Sequence, residues 1–193
     1  MAFAKISQVA HYAPAQVVTN DDLSKIMDTS DEWIRSRTGI QERRISLNEN
    51  TSDLATNVAH QLLEKSGLSP EELDFVLVAT ISPDSSMPSV AARVQGAIGA
   101  VNAFAFDMQA VCSGFLYAME AGANFIRSGK YKKVVIVGAD KMSSVIDYTD
   151  RATCPIFGDG AAAFMVEPTT EDVGIMDSIL RTDGKGLPFL HMK

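Results

Sequence analysis

Phe104-Ala-Phe-Asp-Met-Gln-Ala-Val-Cys-Ser-Gly-Phe115 is the stretch on which the fold turns. An apolar, strand-like run ends in small residues, a thiol follows at Cys112, and a helical pattern begins at once. A strand passing so directly into a helix is the joint of an α/β protein. At that joint a thiol lies beside the N-terminal amides of the helix, whose partial positive charge favours thiolate over thiol. Ser113 and Gly114 are small and leave the thiol open to close approach. Spacing alone leaves two assignments standing: an acyl-accepting nucleophile, or a cysteine packed as a small apolar side chain.

The strand of this joint spans 103–108, and further strand-like segments occur at 4–13, 75–80, 134–139 and 161–167. Helical patterns lie between them at 21–27, 30–36, 52–66, 89–98 and 113–128, with Ser30 or Asp31 as N-cap of the second. Leu54, Val58, Leu62 and Leu63 share one face of the third, and Phe115, Met119, Ala123 and Ile126 one face of the last. Short apolar strands alternating with such helices predict an α/β fold around a largely buried sheet. Residues 67–72 read as a helix-to-strand connector, and 183–193 as loop without a closing element. No repeat, low-complexity segment or internal domain boundary is visible.

With 193 residues, 46% of them hydrophobic, the chain can bury a core as one globular domain. A net charge of −7 argues against nucleic acid as the main partner, while leaving room for a local basic patch that binds a phosphorylated ligand. The two cysteines, Cys112 and Cys154, form no CxxC and no disulfide framework, which fits a reducing compartment. The start lacks the apolar stretch of a signal peptide, and the strongest apolar runs, 134–137 and 161–166, are too short to span a bilayer. The expectation is a soluble cytoplasmic protein with no membrane role. No metal is expected either, since no cluster has ligand spacing, and none of His11, His60 and His191 is placed as a general base.

Two other stretches stand out. Gly158-Asp-Gly160 precedes an apolar strand and reads most simply as a tight turn leading into the sheet. Cys154, followed by Pro155, reads as structural. In Thr29-Ser-Asp-Glu-Trp-Ile-Arg-Ser-Arg37 the only tryptophan lies one helical turn from Arg37. An aromatic face beside guanidinium groups suits a stacked purine with its phosphates. Taken alone, the stretch reads more simply as a surface helix whose arginines pair with Asp31 and Glu32.

Taken together, residues 28–40, Ala110-Val-Cys-Ser-Gly-Phe115, Thr149-Asp-Arg151 and Phe157-Gly-Asp-Gly160 resemble the β-ketoacyl-[acyl-carrier-protein] synthase III family. The motifs come in the family's order, and the likeness runs from residue 1 to about residue 190. It implies a thiolase-like fold of two similar α/β halves stacked as αβαβα layers. Residues 1–170 would be the N-terminal half, and 171–193 the start of a connection to a second half. It also implies an acyltransferase that initiates type II fatty acid synthesis. An acyl-CoA primer, acetyl-CoA first among candidates, acylates the cysteine. Malonyl-acyl-carrier-protein then decarboxylates and attacks that thioester. The family works as a homodimer, without a cofactor beyond these substrates.

Carried across position by position, the resemblance makes Cys112 the nucleophile. Trp33 would stack on the CoA adenine with Arg151 on its other side, and Thr29 and Arg37 would stand at the CoA entrance. Met87 would cross the dimer interface to floor the partner's acyl pocket, with Phe157 and Leu190 lining it. Two departures matter. Val111 stands where many relatives have alanine, its extra methyls narrowing the pocket or adjusting the start of the helix. Members of the family are also much longer, and their second half supplies a histidine in a His-Gln-Ala-Asn motif, an asparagine in an Asn-Thr-Ser motif and a glycine amide of the oxyanion hole. His-Gln-Ala-Asn does not occur in this sequence, and its Asn50-Thr-Ser52 lies in the N-terminal half rather than in the second half where the family carries its asparagine. Losing such a donor costs about 10²–10³-fold in rate. The N-terminal half alone would expose a wide apolar surface. Two other readings stay open: a ketoacyl synthase of secondary metabolism taking a longer or branched starter, and a non-condensing acyl-CoA-binding half-module.

Overall fold

Each of the five expected strands forms, as seen in a computed structural model that describes residues 3–189. In chain order the elements are β1 (Phe3–Tyr12), β2 (Gln16–Thr19), α1 (Asn20–Leu23), α2 (Asp31–Thr38), β3 (Glu42–Ile45) and α3 (Thr51–Ser66). There follow β4 (Phe75–Ala79), α4 (Val90–Ile98), β5 (Phe104–Met108), α5 (Gly114–Arg127), β6 (Val134–Lys141) and β7 (Asp159–Thr169). α1 is a single turn, shorter than the expected 21–27, because Ser24 already caps its end. β2 and β3 pair antiparallel as a separate ribbon that the sequence did not announce.

The main sheet runs β1-β7-β6-β4-β5. β4 is parallel to both β5 and β6, and all five of its residues are buried, as a central parallel strand requires. Alternation then sorts the side chains. Val76, Val78, Val135 and Val137 face α3 and α4, whereas Phe75, Leu77, Val134 and Ile136 face α5. The expectation of a largely buried sheet needs one correction at β5. It is an edge, with Phe104 39% and Phe106 36% exposed, because among the described residues no strand lies beyond it. In β1, Ala4 and Ala10 would share a face of an unbroken strand. A bulge between Ile6 and Gln8 inserts one extra residue, so Ala4 joins the α5-side core and Ala10 the α3-side core.

α5 approaches the sheet closely because glycine stands on both partners. A Cβ on Gly122 of the helix would lie 2.6 Å from Ile136 Cδ1, and one on Gly138 of β6 would lie 2.9 Å from Phe115 Cδ2. Ile136 thus fills the notch in the helix, and Phe115 the notch in the strand. Beyond β7 the chain turns back along this face. The Ile175 N–H donates to Ala4 O at 2.8 Å, and the Tyr117 hydroxyl donates to Arg181 O at 2.8 Å. Ile6 and Val9 of β1 and Leu116 of α5 are apolar side chains left 39%, 48% and 59% exposed.

Adding a methyl at Gly138 must displace the Phe115 ring. Gly138→Ala is expected to lower stability by about 1–3 kcal/mol in urea unfolding. Phe115→Leu in the same chain should recover most of that loss, and additive effects of the two changes would contradict the interlock.

Candidate active site

Three strands, β4, β5 and β6, run parallel, so the loops that follow them gather at one end of the sheet, where ligands of α/β proteins bind. Residues 80–89 follow β4, 109–113 follow β5 and 142–158 follow β6. Met87, Cys112, Arg151 and Phe157 all lie in these loops.

Cys112 sits in a short helical turn, Val111–Ser113, that runs directly into α5. The Ser113 N–H donates to Ala110 O at 3.2 Å, and the Gly114 N–H donates to Val111 O. The turn is entered through a left-handed residue, Val111 at φ 50°. Cys112 is exposed, which removes the packing assignment for it. Cys154 is the opposite case. It is 2% exposed, packs with Leu23 and Ile34, and burial pushes its thiol above the ordinary range.

A second grouping forms around Trp33. Ser30 caps α2 by accepting from the Trp33 N–H at 3.1 Å, which sets the tryptophan in the first turn. Arg37, one turn on, places its guanidinium carbon 4.5 Å from the Trp33 ring centroid. The guanidinium carbon of Arg151, from the loop after β6, lies 4.5 Å from the same centroid. Arg151 also pairs with the fully exposed Asp28 at 3.4 Å, a contact that solvent screens strongly. The surface-helix reading holds for Arg35, which pairs with Asp31 at 3.4 Å, and not for Arg37. Thr29 lies just before α2, its Oγ1 buried and without a hydrogen-bond partner.

Arg43 and Asn20 tie these pieces together. Asn20 Nδ2 donates to Asp31 Oδ1 at 2.8 Å and to Ile40 O at 2.7 Å, holding both ends of α2. Arg43 Nη2 donates to Asn20 Oδ1 at 2.8 Å and to Pro155 O at 3.1 Å, joining α2 to the loop that carries Arg151 and Phe157.

Carboxylates anchor the remaining loops. Asp140 Oδ1 accepts from Thr80 Oγ1, the Ile81 N–H, the Ser82 N–H and Ser82 Oγ at 2.8–3.1 Å. Asp84 accepts from the Ser52 N–H at 2.9 Å. Asp107 accepts from the Val90 and Ala91 N–H groups at 2.8 and 2.7 Å, capping α4. The loop with Met87, itself 83% exposed, is thereby held at its start, middle and end. Asp159 accepts from the Ser46 N–H at 2.7 Å and the Ser143 N–H at 2.8 Å. Gly158-Asp-Gly160 is not the tight turn that its sequence suggests, because Asp159 and Gly160 already pair with Lys141 and Asp140 as the first residues of β7. Sequence reasoning passed over Asp107 and Asp140. Their signal was an acid inside or ending an apolar strand.

Phe157 lines a cavity of about 190 Å³ with Val18, Leu23, Arg43, Tyr148 and Cys154, and Cys112 is not part of that lining. Leu190 and His191 lie outside the described residues, while His11 and His60 are exposed. Among the described residues, no three His, Cys, Asp or Glu side chains are grouped to hold a metal, and no helix is long and apolar enough to cross a membrane.

Comparison with known proteins agrees with this geometry. Residues 106–184 match the family described as 3-oxoacyl-[acyl-carrier-protein (ACP)] synthase III. A β-ketoacyl-[acyl-carrier-protein] synthase III of Streptococcus thermophilus is 74% identical over 184 residues, covering 95% of this chain and 57% of the relative. A β-ketoacyl-[acyl-carrier-protein] synthase III 1 of Bacteroides thetaiotaomicron is 66% identical over 193 residues, covering 98% and 57%. Among solved structures, β-ketoacyl-[acyl-carrier-protein] synthase III from Thermus thermophilus superposes with a TM-score of 0.92 at 41% identity, covering 97% of this chain and 58% of that one. The fold is therefore that of the N-terminal α/β part of a thiolase-like condensing enzyme. The chain belongs to the β-ketoacyl-[acyl-carrier-protein] synthase III family, and it spans rather more than half the length of the curated relatives it matches.

The two thiols should separate cleanly. Iodoacetamide is expected to alkylate Cys112 at least about 10-fold faster than Cys154 in the folded protein, as peptide mapping would show. Equal labelling would contradict the exposed turn. Because the folded state keeps Cys154 protonated at a pH where the unfolded thiol ionises, Cys154 should also lower stability as pH rises above about 8.5. Cys154→Ala should flatten that slope in urea unfolding.

Proposed function

We propose that this chain carries the acyl-accepting part of a β-ketoacyl-[acyl-carrier-protein] synthase III, the acyltransferase that initiates type II fatty acid synthesis. The observation that carries the reading is the exposed Cys112, set at the head of α5 where the loops after three parallel strands converge. In the first step the Cys112 sulfur attacks the thioester carbonyl of an acyl-CoA, acetyl-CoA first among candidates. A bond forms between that sulfur and the acyl carbon, the bond to the CoA sulfur breaks, and CoA leaves with the proton that Cys112 gives up. In the second step malonyl-acyl-carrier-protein loses CO2. Its α-carbon takes the electron pair and bonds to the acyl carbon, and the Cys112 sulfur leaves as a thiolate that takes up a proton from solvent. The products are β-ketoacyl-acyl-carrier-protein, CO2 and the free enzyme.

Trp33, Arg37 and Arg151 serve this reaction as the CoA entrance, with Thr29 beside them. An aromatic face with two guanidinium groups suits a purine and its phosphates. For adenine to stack on Trp33, at least one guanidinium must give up its place over the ring. Met87 and Phe157 are assigned to the acyl pocket, and Leu190 by resemblance alone. A homodimer belongs to the same reading, supported by the exposure of Met87 and by β5 as an open sheet edge carrying Phe104 and Phe106. Residues 1–170 act as the N-terminal half, and 171–193 begin the connection to a second half that brings the histidine and asparagine for decarboxylation. The reaction needs no cofactor beyond its two substrates. The two free cysteines favour a cytoplasmic setting.

Incubation of the natural gene product with acetyl-CoA should leave one acetyl group, mapped by mass spectrometry to Cys112. Cys112→Ser should abolish it, and acetylation that persists in this variant would sink the assignment. Trp33→Ala should raise the KM for acetyl-CoA by about 10-fold, since base–aromatic stacking contributes about 1–3 kcal/mol.

A further inference from the structure

Six described residues adopt a left-handed backbone, and five of them are glycine: Gly39, Gly67, Gly99, Gly129 and Gly174. The sixth is Val111, at φ 50°. A β-branched side chain is poorly suited to that region, because its Cβ crowds the carbonyl that follows and its branching leaves little rotamer freedom to escape. Glycine would remove the strain. Packing within the described residues does not explain the valine either, since Val111 is 55% exposed there and belongs to none of the three apolar clusters. Strain without burial persists where the side chain acts on something other than the fold.

Its neighbours say what that is. Val111 immediately precedes Cys112, and the turn reads Ala110-Val-Cys-Ser-Gly114. Alanine, serine and glycine add almost no bulk there, so the isopropyl group is the one large side chain in the turn that presents the thiol. We infer that Val111 is a specificity-determining residue of the Cys112 site: it sets the width of the space beside the sulfur and restricts the acyl group taken from a thioester to short, unbranched chains. The inference rests on the acyl-transfer reading above and narrows its substrate class.

The test compares the natural gene product with its Val111→Ala, Val111→Gly and Val111→Thr variants. Each is given acetyl-CoA or hexanoyl-CoA, and the rate of Cys112 acylation is followed by mass spectrometry alongside the melting temperature. The ratio of hexanoyl to acetyl rates should rise by about 10-fold or more in the alanine and glycine variants, the discrimination that a few methyl groups give in an apolar site. Val111→Thr keeps the branched shape and should keep the parent's ratio. The glycine variant should melt no lower than the parent, because it relieves the backbone. An unchanged ratio with a lower melting temperature in the alanine and glycine variants would make Val111 a packing residue and overturn the inference. A threonine variant that behaves like alanine would overturn it too. If no acyl-CoA acylates the parent at Cys112, the reaction assignment itself fails and the role of Val111 falls with it.

Discussion

Helix α5 lies against its sheet at a separation that two glycines permit. Gly122 on the helix receives Ile136, and Gly138 on β6 receives Phe115, so each surface has a notch filled by the other. Close-packed interiors tolerate small changes in such contacts poorly. Everything at the head of α5 inherits its position from this interlock, including the turn with Val111 and Cys112. The thiol therefore stands on a rigid element, while the turn that aims it is strained.

The loops around it are held differently. Apolar packing fixes the sheet and helices, whereas carboxylates fix the connections. Asp140 gathers donors from Thr80, Ile81 and Ser82, Asp107 closes the start of α4, and Asp159 ties the turns at Ser46 and Ser143. A carboxylate oxygen can accept several bonds at once, so one side chain organises a stretch of backbone that has no regular structure of its own. The Asn20–Arg43 pair does the same for α2 and the loop carrying Arg151. Trp33, Arg37 and Arg151 meet because of these polar ties rather than through a shared core alone.

Much of this could be read from residues in order. The five strands of the main sheet follow from apolar runs, and the place of Cys112 at a joint from a strand that breaks into small residues before a helix, whereas its exposure needed the structure. Trp33 and Arg37 sit one turn apart, so their meeting was visible in the spacing. β2 and β3 were not. Gln16–Thr19 and Glu42–Ile45 are four residues each, with two and three polar residues and only partial burial, and they resemble loops until paired. Arg151 reaches Trp33 from more than a hundred residues away, which no local pattern encodes and only the family resemblance supplied. The left-handed backbone at Val111 was hidden for the opposite reason: valine is a residue that argues against it. The carboxylate anchors were obscured because their partners are backbone amides of distant segments.

β1 forms an outer edge of the sheet and pairs only with β7, with Phe3 opposite Thr169 and Tyr12 opposite Ala161. β1 thus has no partner in the sheet until nearly the whole of this region has been made. Contacts between segments so far apart in sequence are slow to form and leave strand edges open meanwhile. β4, β5 and β6 with α4 and α5 can assemble earlier, since their pairings span much shorter stretches. The Cys112 turn belongs to that early unit. During synthesis, the chain would hold the Cys112 thiol in place before its sheet is closed.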